Sequence, residues 1–302
     1  MRTSESTEPL KTVPLVSVII PAYNGQEYIG AAIESVLAQT YRPIEILVVD
    51  DGSPASMAAA VAGFGPEVRY LRQENAGTAS ARNLGFRESR GEFIALLDQD
   101  DLWLPGKLEC QIPRFNEDPN IGLVAAWMEV FDSLTGEVKG TFRPPGELDV
   151  HEMLRHGHPP VQTMVFRRSA LEKIGGFDAS LHGTDDWDIN IRMAAQFRVV
   201  AVGKILGRAR EHASQQGRNG EQMYRNSMRV LDKHQHIHPG CAKCREAVRK
   251  SRNLVRQHYF GYTKGRARTA WREGRYAAAA AKAAWAVWQY PPVLKRAFGR
   301  AV

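Results

Sequence analysis

Three near-continuous apolar runs, each closing on a polar cluster, set the pattern of the first hundred positions. Leu15–Ile20 (LVSVII) leads into PAYN, Ile44–Asp50 (IEILVVD) into DDGS, and Phe93–Leu97 (FIALL) into DQDD. A short run that is apolar at successive rather than alternate positions is the signature of a strand covered on both faces. Val68–Leu71 (VRYL) predicts a further strand. Between the runs, Ile29, Ala32, Ile33, Val36 and Leu37 fall at i, i+3, i+4, i+7 and i+8, one stripe of a helix. Gly77–Ser89 (GTASARNLGFRES) reads as a second helix. Strands alternating with helices at this spacing predict an α/β fold with a parallel sheet.

Beyond residue 100 the pattern predicts strands at Leu123–Val130, Val161–Phe166 and Phe197–Val202. A second acidic knot, Asp185, Asp186 and Asp188, opens a helix whose apolar residues (Ile189, Ile191, Met193, Ala194) are imperfectly periodic. From Glu221 onward the chain reads as helical, with breaks at His238–Gly240 (HPG) and Tyr290–Pro292 (YPP). The Ala-rich stretch near Trp271–Trp288 suggests a helical hairpin. Residues 1–13 are polar and read as disordered. The chain thus divides into 1–13, an α/β domain over 14–220 and a helical region over 221–302.

In parallel α/β sheets, ligands bind beyond the carboxyl ends of the strands. PAYN, DDGS and DQDD therefore converge on one rim. Asp98, Asp100 and Asp101 repel one another there unless a divalent cation, a basic side chain or a helix N-terminus neutralises them. Asp98 and Asp100 lie two apart, so an extended segment turns both to one side, where they can share an ion. The rival reading makes them turn and N-cap carboxylates. Convergence of three polar clusters on one edge favours a site.

Charge is divided unevenly. The chain carries 40 Lys and Arg against 33 Asp and Glu, and fifteen of the basic residues but only two of the acidic ones lie from Cys241 onward. That tail also holds Tyr259, Tyr262, Trp271, Tyr276, Trp285, Trp288 and Tyr290. Two readings follow: an anionic membrane surface as partner, or aromatics packed on the α/β domain with solvated arginines. No base-reading motif accompanies the charge, so nucleic acid is not an expected partner. No apolar run approaches the ~18–20 residues of a membrane span, and MRTSESTEPLKTVPL has no signal-peptide core. The expected location is cytoplasmic, peripheral at the inner face of the cell membrane. Three cysteines are too few for a disulfide framework. His236, His238, Cys241 and Cys244 have zinc-ligand chemistry, but they span only nine residues, and a helix-joining turn with reduced thiols is the preferred reading.

Taken in order, VSVIIPAYNGQEYIGAAIESVLAQTY, ILVVDDGS, NAGTASARNLGF, FIALLDQDDLWLPGKLE, GGFD and DDWDINIRM resemble glycosyltransferase family 2, over roughly Pro14–His212. The resemblance implies an inverting, metal-dependent enzyme with a GT-A fold, a Rossmann-like, mostly parallel sheet with flanking helices, here followed by a helical C-terminal region. It implies Mn2+ or Mg2+ on the diphosphate of a nucleotide-sugar donor, with Asp100 as ligand. His212 is a second ligand, a diphosphate contact or a structural histidine. Asp98 faces the ribose or the metal's water shell, and Asp101 orients the loop or the donor sugar. Pro21, Ala22 and Tyr23 map to the turn that holds base and ribose. Asp51 matches a carboxylate that accepts from the N3–H of uracil, a role that leaves thymine and guanine open. Arg82 neutralises phosphate or touches the base, unless it is an exposed helix arginine.

By the same resemblance Asp186 is the general base that deprotonates the acceptor hydroxyl. Asp185 stands beside it where Glu is commoner, one methylene shorter. Asp188 caps its helix or is structural, and Trp187 stacks on a sugar or packs in the core. Gly175–Asp178 (GGFD) shapes the acceptor pocket. The expected reaction is non-processive transfer from a UDP-linked sugar to a hydroxyl of a glycan or lipid-linked acceptor, in polysaccharide and cell-envelope synthesis. Three rivals differ in their signals. A sugar nucleotidyltransferase carries a Gly-rich, basic phosphate loop after strand one, where this chain has PAYNGQEY. A processive synthase carries membrane helices and a Gln-x-x-Arg-Trp motif. The presence of Asp98, Asp100 and Asp186 argues against an inactive nucleotide-sugar-binding scaffold acting through its tail, which stays as the alternative from another class.

Overall fold

The computed structural model describes residues 13–155, 159–212 and 220–289. The predicted disorder of the first twelve residues and the break at Tyr290–Pro292 lie outside them. The described strands are β1 Val16–Ala22, β2 Ile44–Asp50, β3 Val68–Arg72, β4 Phe93–Leu96, β5 Leu102–Trp103, β6 Ile121–Asp132, β7 Val138–Phe142, β8 Val165–Arg167 and β9 Arg198–Glu211. The helices are α1 Ile29–Leu37, α2 Ala58–Val61, α3 Thr78–Glu88, α4 Lys107–Gln111, α5 Val150–Leu154, α6 Arg168–Lys173, α7 Asp185–Ala194, α8 Gly220–His234, α9 Ala242–Arg272 and α10 Tyr276–Gln289.

One sheet runs β3-β2-β1-β4-β8-β6-β9-β5, with β7 on β6. Its first half, β3 to β4, is parallel as expected. The second half is mixed: β8 runs antiparallel to β4 and to β6, β6 and β9 are parallel, and β5 is antiparallel to β9. The strand expected at Val161–Phe166 is shorter than predicted. Val161–Thr163 form a 3-10 turn after Pro160, and β8 starts at Val165. Side chains take the turn's carbonyls, Trp103 Nε1 donating to Gln162 and Gln111 Nε2 to Thr163, so no ladder forms there.

Both faces of β1 are buried, as its unbroken apolar run requires. Val16, Val18 and Ile20 pack with α1, while Ile19 joins the opposite cluster with Val49, Ile94 and Phe166. Burying each such side chain contributes about 1.5–3 kcal/mol. Helix α3 lies tight against this second face: a Cβ on Gly85 would stand 2.5 Å from Ile19 Cγ2, so only glycine fits.

The boundary at residue 220 separates elements but not cores. Tyr224, Val230 and Leu231 of α8, and Val248 and Val255 of α9, share one cluster with Ile189, Ile191 and Phe166. This explains the weak periodicity of α7. Covered by neighbouring elements on nearly every side, α7 buries even Asp188 and Asn190. The turn at Pro239–Gly240 separates α8 from α9 as predicted, and α9 and α10 form the expected hairpin. Trp285 packs edge-on to Tyr224 at 5.8 Å, whereas Trp271, Tyr276 and Trp288 are exposed. No described helix is long and apolar enough to cross a membrane.

Candidate active site

The ends of β1, β2 and β4 are laced together. Tyr23 N donates to Gln99 Oε1 at 2.9 Å, and Gln99 Nε2 donates back to Tyr23 O at 3.0 Å. Asn24 adopts a left-handed conformation (φ 57°), and its N–H reaches Ser53 Oγ at 2.9 Å. Ala22 O accepts from Asp51 N at 2.8 Å. Pro21 and Ala22 are buried in β1, and Tyr23 is exposed at the rim. The predicted convergence of the three polar clusters is what the structure contains.

Asp51 is buried, and three donors already serve its carboxylate. Gln73 Nε2 and Ala76 N reach Oδ1 at 2.7 and 2.9 Å, and Gly77 N reaches Oδ2 at 2.8 Å. It therefore organises the turn into α3, where an anion beside a helix N-terminus is favoured. A carboxylate has about four lone-pair positions, so one acceptance remains. Its neighbour Asp50 is fully buried and accepts from Ser53 N at 2.8 Å and Tyr70 Oη at 2.6 Å.

Arg82 joins the two acidic clusters. Its NH1 donates to Asp185 Oδ2 at 2.6 Å and its NH2 to Asp98 Oδ1 at 2.8 Å. It is only 4% exposed, which overturns the reading as a surface helix arginine. Each terminal nitrogen spends one of its two N–H bonds on a carboxylate. Its guanidinium lies 5.7 Å from the centre of the Phe177 ring. Phe177 is held by a reciprocal pair with Asn83, Nδ2 to Phe177 O at 2.8 Å and Phe177 N to Oδ1 at 2.9 Å. GGFD thus supports Arg82 from one side, and the buried Phe177 is not an open pocket wall.

Burial pushes the Asp98 carboxyl up, Arg82 opposes that shift, and Asp100 adds to it. Burial raises Asp101 well above the usual carboxylate range, with Asp98 and Asp100 adding. Asp101 Oδ1 accepts from Arg210 N at 2.8 Å, and Arg210 Nε donates to Asp100 O at 2.9 Å. His212 Nε2 stands 2.8 Å from Asp100 Oδ2, with its ring 4.8 Å from that of Tyr28. Asp186 is half-buried at the start of α7, accepts from Trp187 N at 2.7 Å, and interacts electrostatically with Asp98 and Arg82. Asp185 is buried, which pushes its carboxyl up to about 6 against the pull of Arg82.

These groups fit a divalent cation. Several carboxylates face a single buried guanidinium, which leaves an excess of negative charge. Adjacent ligands on an octahedral ion at about 2.1 Å stand about 3 Å apart, close to the 2.8 Å between Asp100 Oδ2 and His212 Nε2.

A sequence model of the family described as Glycosyl transferase family 2 matches residues 17–175, just over half of the chain. The chain belongs to glycosyl transferase family 2. It is 37% identical over 211 residues to an uncharacterized glycosyltransferase of Rickettsia prowazekii, covering 67% of this chain and 65% of that protein. It is 36% identical over 159 residues, 52% of this chain and 62% of the relative, to the UDP-Glc:alpha-D-GlcNAc-diphosphoundecaprenol beta-1,3-glucosyltransferase WfgD of Escherichia coli. The chain therefore spans a little under two thirds of the length of these relatives. Among solved structures, the mannosyltransferase PcManGT of Pyrobaculum calidifontis, in complex with GDP-Man and Mn2+, superposes with a TM-score of 0.62 at 19% identity, covering 96% of this chain and 81% of that one. This likeness shows the GT-A fold.

Two other residues at the start of α7 are buried in this family 2 chain. Trp187 is 2% exposed and its indole Nε1 donates to Met153 O at 2.6 Å, so it packs in the core and offers no face to a sugar. Asp188 is fully buried, with Arg192 at 2.7 Å, Lys233 at 2.8 Å and His234 at 2.7 Å. Arg192 also donates to Ile174 O and Gly176 O. Asp188 therefore ties α7 to α8 and, through Arg192, to the GGFD turn. Sequence reasoning missed Gln99, Asn83 and Arg210. Gln99 lies within DQDD itself, and its place between two carboxylate-bearing neighbours was the available signal.

Proposed function

We propose that the chain transfers a sugar from a UDP-linked donor to a hydroxyl of a glycan or lipid-linked acceptor, with inversion and one sugar per encounter. The observation that carries this reading is the double ion pair of Arg82. It holds the DQDD cluster against the start of α7, which supports a shared site for the donor-side carboxylates and Asp186. In this reading Asp51 accepts from the uracil imide with its remaining lone pair, beside Pro21, Ala22 and Tyr23. Asp100 and His212 hold Mn2+ or Mg2+, with Asp98 and Asp101 alongside. The cation, when bound, stabilises charge growing on the leaving diphosphate. Asp186 takes the acceptor proton as the new bond forms, and Asp185, held by Arg82, positions it.

The name of WfgD describes a UDP-glucose donor and a lipid-linked acceptor, which supports the donor and acceptor chosen here. Exposed Trp271, Tyr276 and Trp288 on the basic tail support a position at the anionic inner face of the membrane, where such acceptors reside. The test is to incubate the full chain with UDP-, GDP- and dTDP-sugars and Mn2+ and to follow thermal shift and nucleotide release. A UDP-sugar should bind and be consumed. Failure of every donor to bind would overturn the reading.

A further inference from the structure

The fold brings a second set of ligand-type side chains together away from the carboxylates, at the corner between α8 and α9. We propose that His151, His238, Cys241 and Cys244 form a structural zinc site that fastens this corner to α5.

Two sulfur–nitrogen distances match the edge of a tetrahedral site. Cys241 Sγ lies 3.5 Å from His151 Nε2, and Cys244 Sγ lies 3.6 Å from His238 Nδ1. With Zn–S at about 2.3 Å and Zn–N at about 2.0–2.1 Å, a tetrahedral S–Zn–N edge is about 3.6 Å. The ligand atoms of His151, His238 and Cys244 all lie within 4.8 Å of one another. Two of the chain's three cysteines and two of its nine histidines meet at this point. Cys241 also caps α9, its Sγ accepting from Cys244 N at 3.4 Å.

The surroundings match a metal ligand set. Asp149 Oδ2 stands 3.1 Å from His151 Nδ1, so a proton held there leaves the Nε2 lone pair facing the thiols. A carboxylate behind a ligating imidazole is the usual outer-shell partner of zinc. Two sulfurs and two imidazoles favour zinc over hard cations, and four protein ligands make a closed, structural centre. Binding requires both thiols to lose their protons to solvent. Sequence spacing pointed instead to His236, which is exposed, because His151 lies 85 positions before it.

Such a centre would hold α5 in place. Met153 O of α5 accepts from Trp187 next to Asp186, and Leu154 O accepts from Ser251 Oγ of α9 at 2.6 Å. The test uses untagged full-length protein isolated under reducing conditions, with metal content and Co2+ titration of the chelated chain as readouts. The expected result is about one zinc per chain, and Co2+ spectra with tetrahedral ligand-field bands and thiolate charge transfer. His151→Ala and Cys244→Ser should lower zinc content at least about fivefold, whereas His236→Ala keeps it. The proposal fails if the wild-type chain binds neither Zn2+ nor Co2+ through thiolates. It fails equally if His151→Ala keeps full zinc, or if Cys241 and Cys244 are isolated as a disulfide.

Discussion

Arg82 on α3 and Asp185 on α7 form a buried ion pair, 2.6 Å between NH1 and Oδ2, across 103 positions of sequence. Removing one partner of a buried pair costs about 3–5 kcal/mol, because the other charge stays buried alone. Arg82→Ala strands both Asp98 and Asp185 and is expected to destabilise the chain by that amount in urea unfolding. Arg82→Lys should not restore donor turnover, since one ammonium cannot span two carboxylates as the planar fork does. Wild-type turnover in Arg82→Lys would show that the bridge does not organise the cleft.

The two acidic clusters should separate under mutation. Asp100→Asn is expected to lose metal-dependent donor binding by calorimetry. Asp186→Asn should keep binding while transfer falls by about 10²–10⁴-fold, the usual worth of a general base. Normal transfer by Asp186→Asn would remove it from the role of base.

Acid stability should depend on Asp188. Burial penalises its carboxylate, yet the His234 hydrogen bond and the charges of Arg192 and Lys233 outweigh this and hold its carboxyl well below the usual 3.8. A depressed carboxyl stabilises the fold above its unfolded value, and that contribution is lost as pH falls below about 4. Asp188→Asn should cost about 3 kcal/mol at neutral pH and flatten the acid limb of the stability profile. An unchanged limb in urea titrations across pH would contradict the assignment.

The exposed aromatics of the tail lead to a binding experiment. The chain should sediment with anionic vesicles at low salt and release at high salt, as screened attraction of basic residues requires. Replacing Trp271 and Trp288 by Ala should weaken the association. No sedimentation at low salt would leave the tail as a packing element only.

Strands β1, β2 and β4 of the parallel half were legible because they are buried on both faces and so read as apolar runs. β7 was not, because VKGTF is almost wholly exposed and carries no apolar period, and β5 is only two residues long. The rim clusters were legible through the strand ends that place them. The role of Arg82 was not, since nothing local distinguishes a helix arginine buried against a distant aspartate from one in water. Trp187 was left between a sugar-stacking and a core role for a similar reason: its burial depends on α5, which approaches from over thirty positions earlier. His151 escaped because its thiol neighbours lie ninety residues ahead.

The continuity of one core between the sheet and α8–α9 constrains any attempt to build chimaeras. Grafting a relative's tail onto this catalytic half would have to match Tyr224, Val230, Leu231 and Val248 in size. It would also need a basic side chain opposite Asp188. A chain cut short after β9 would leave that aspartate without Lys233 and His234 and bare the apolar flank of α7 to solvent, so it is expected to come out of cells insoluble rather than as a smaller working enzyme.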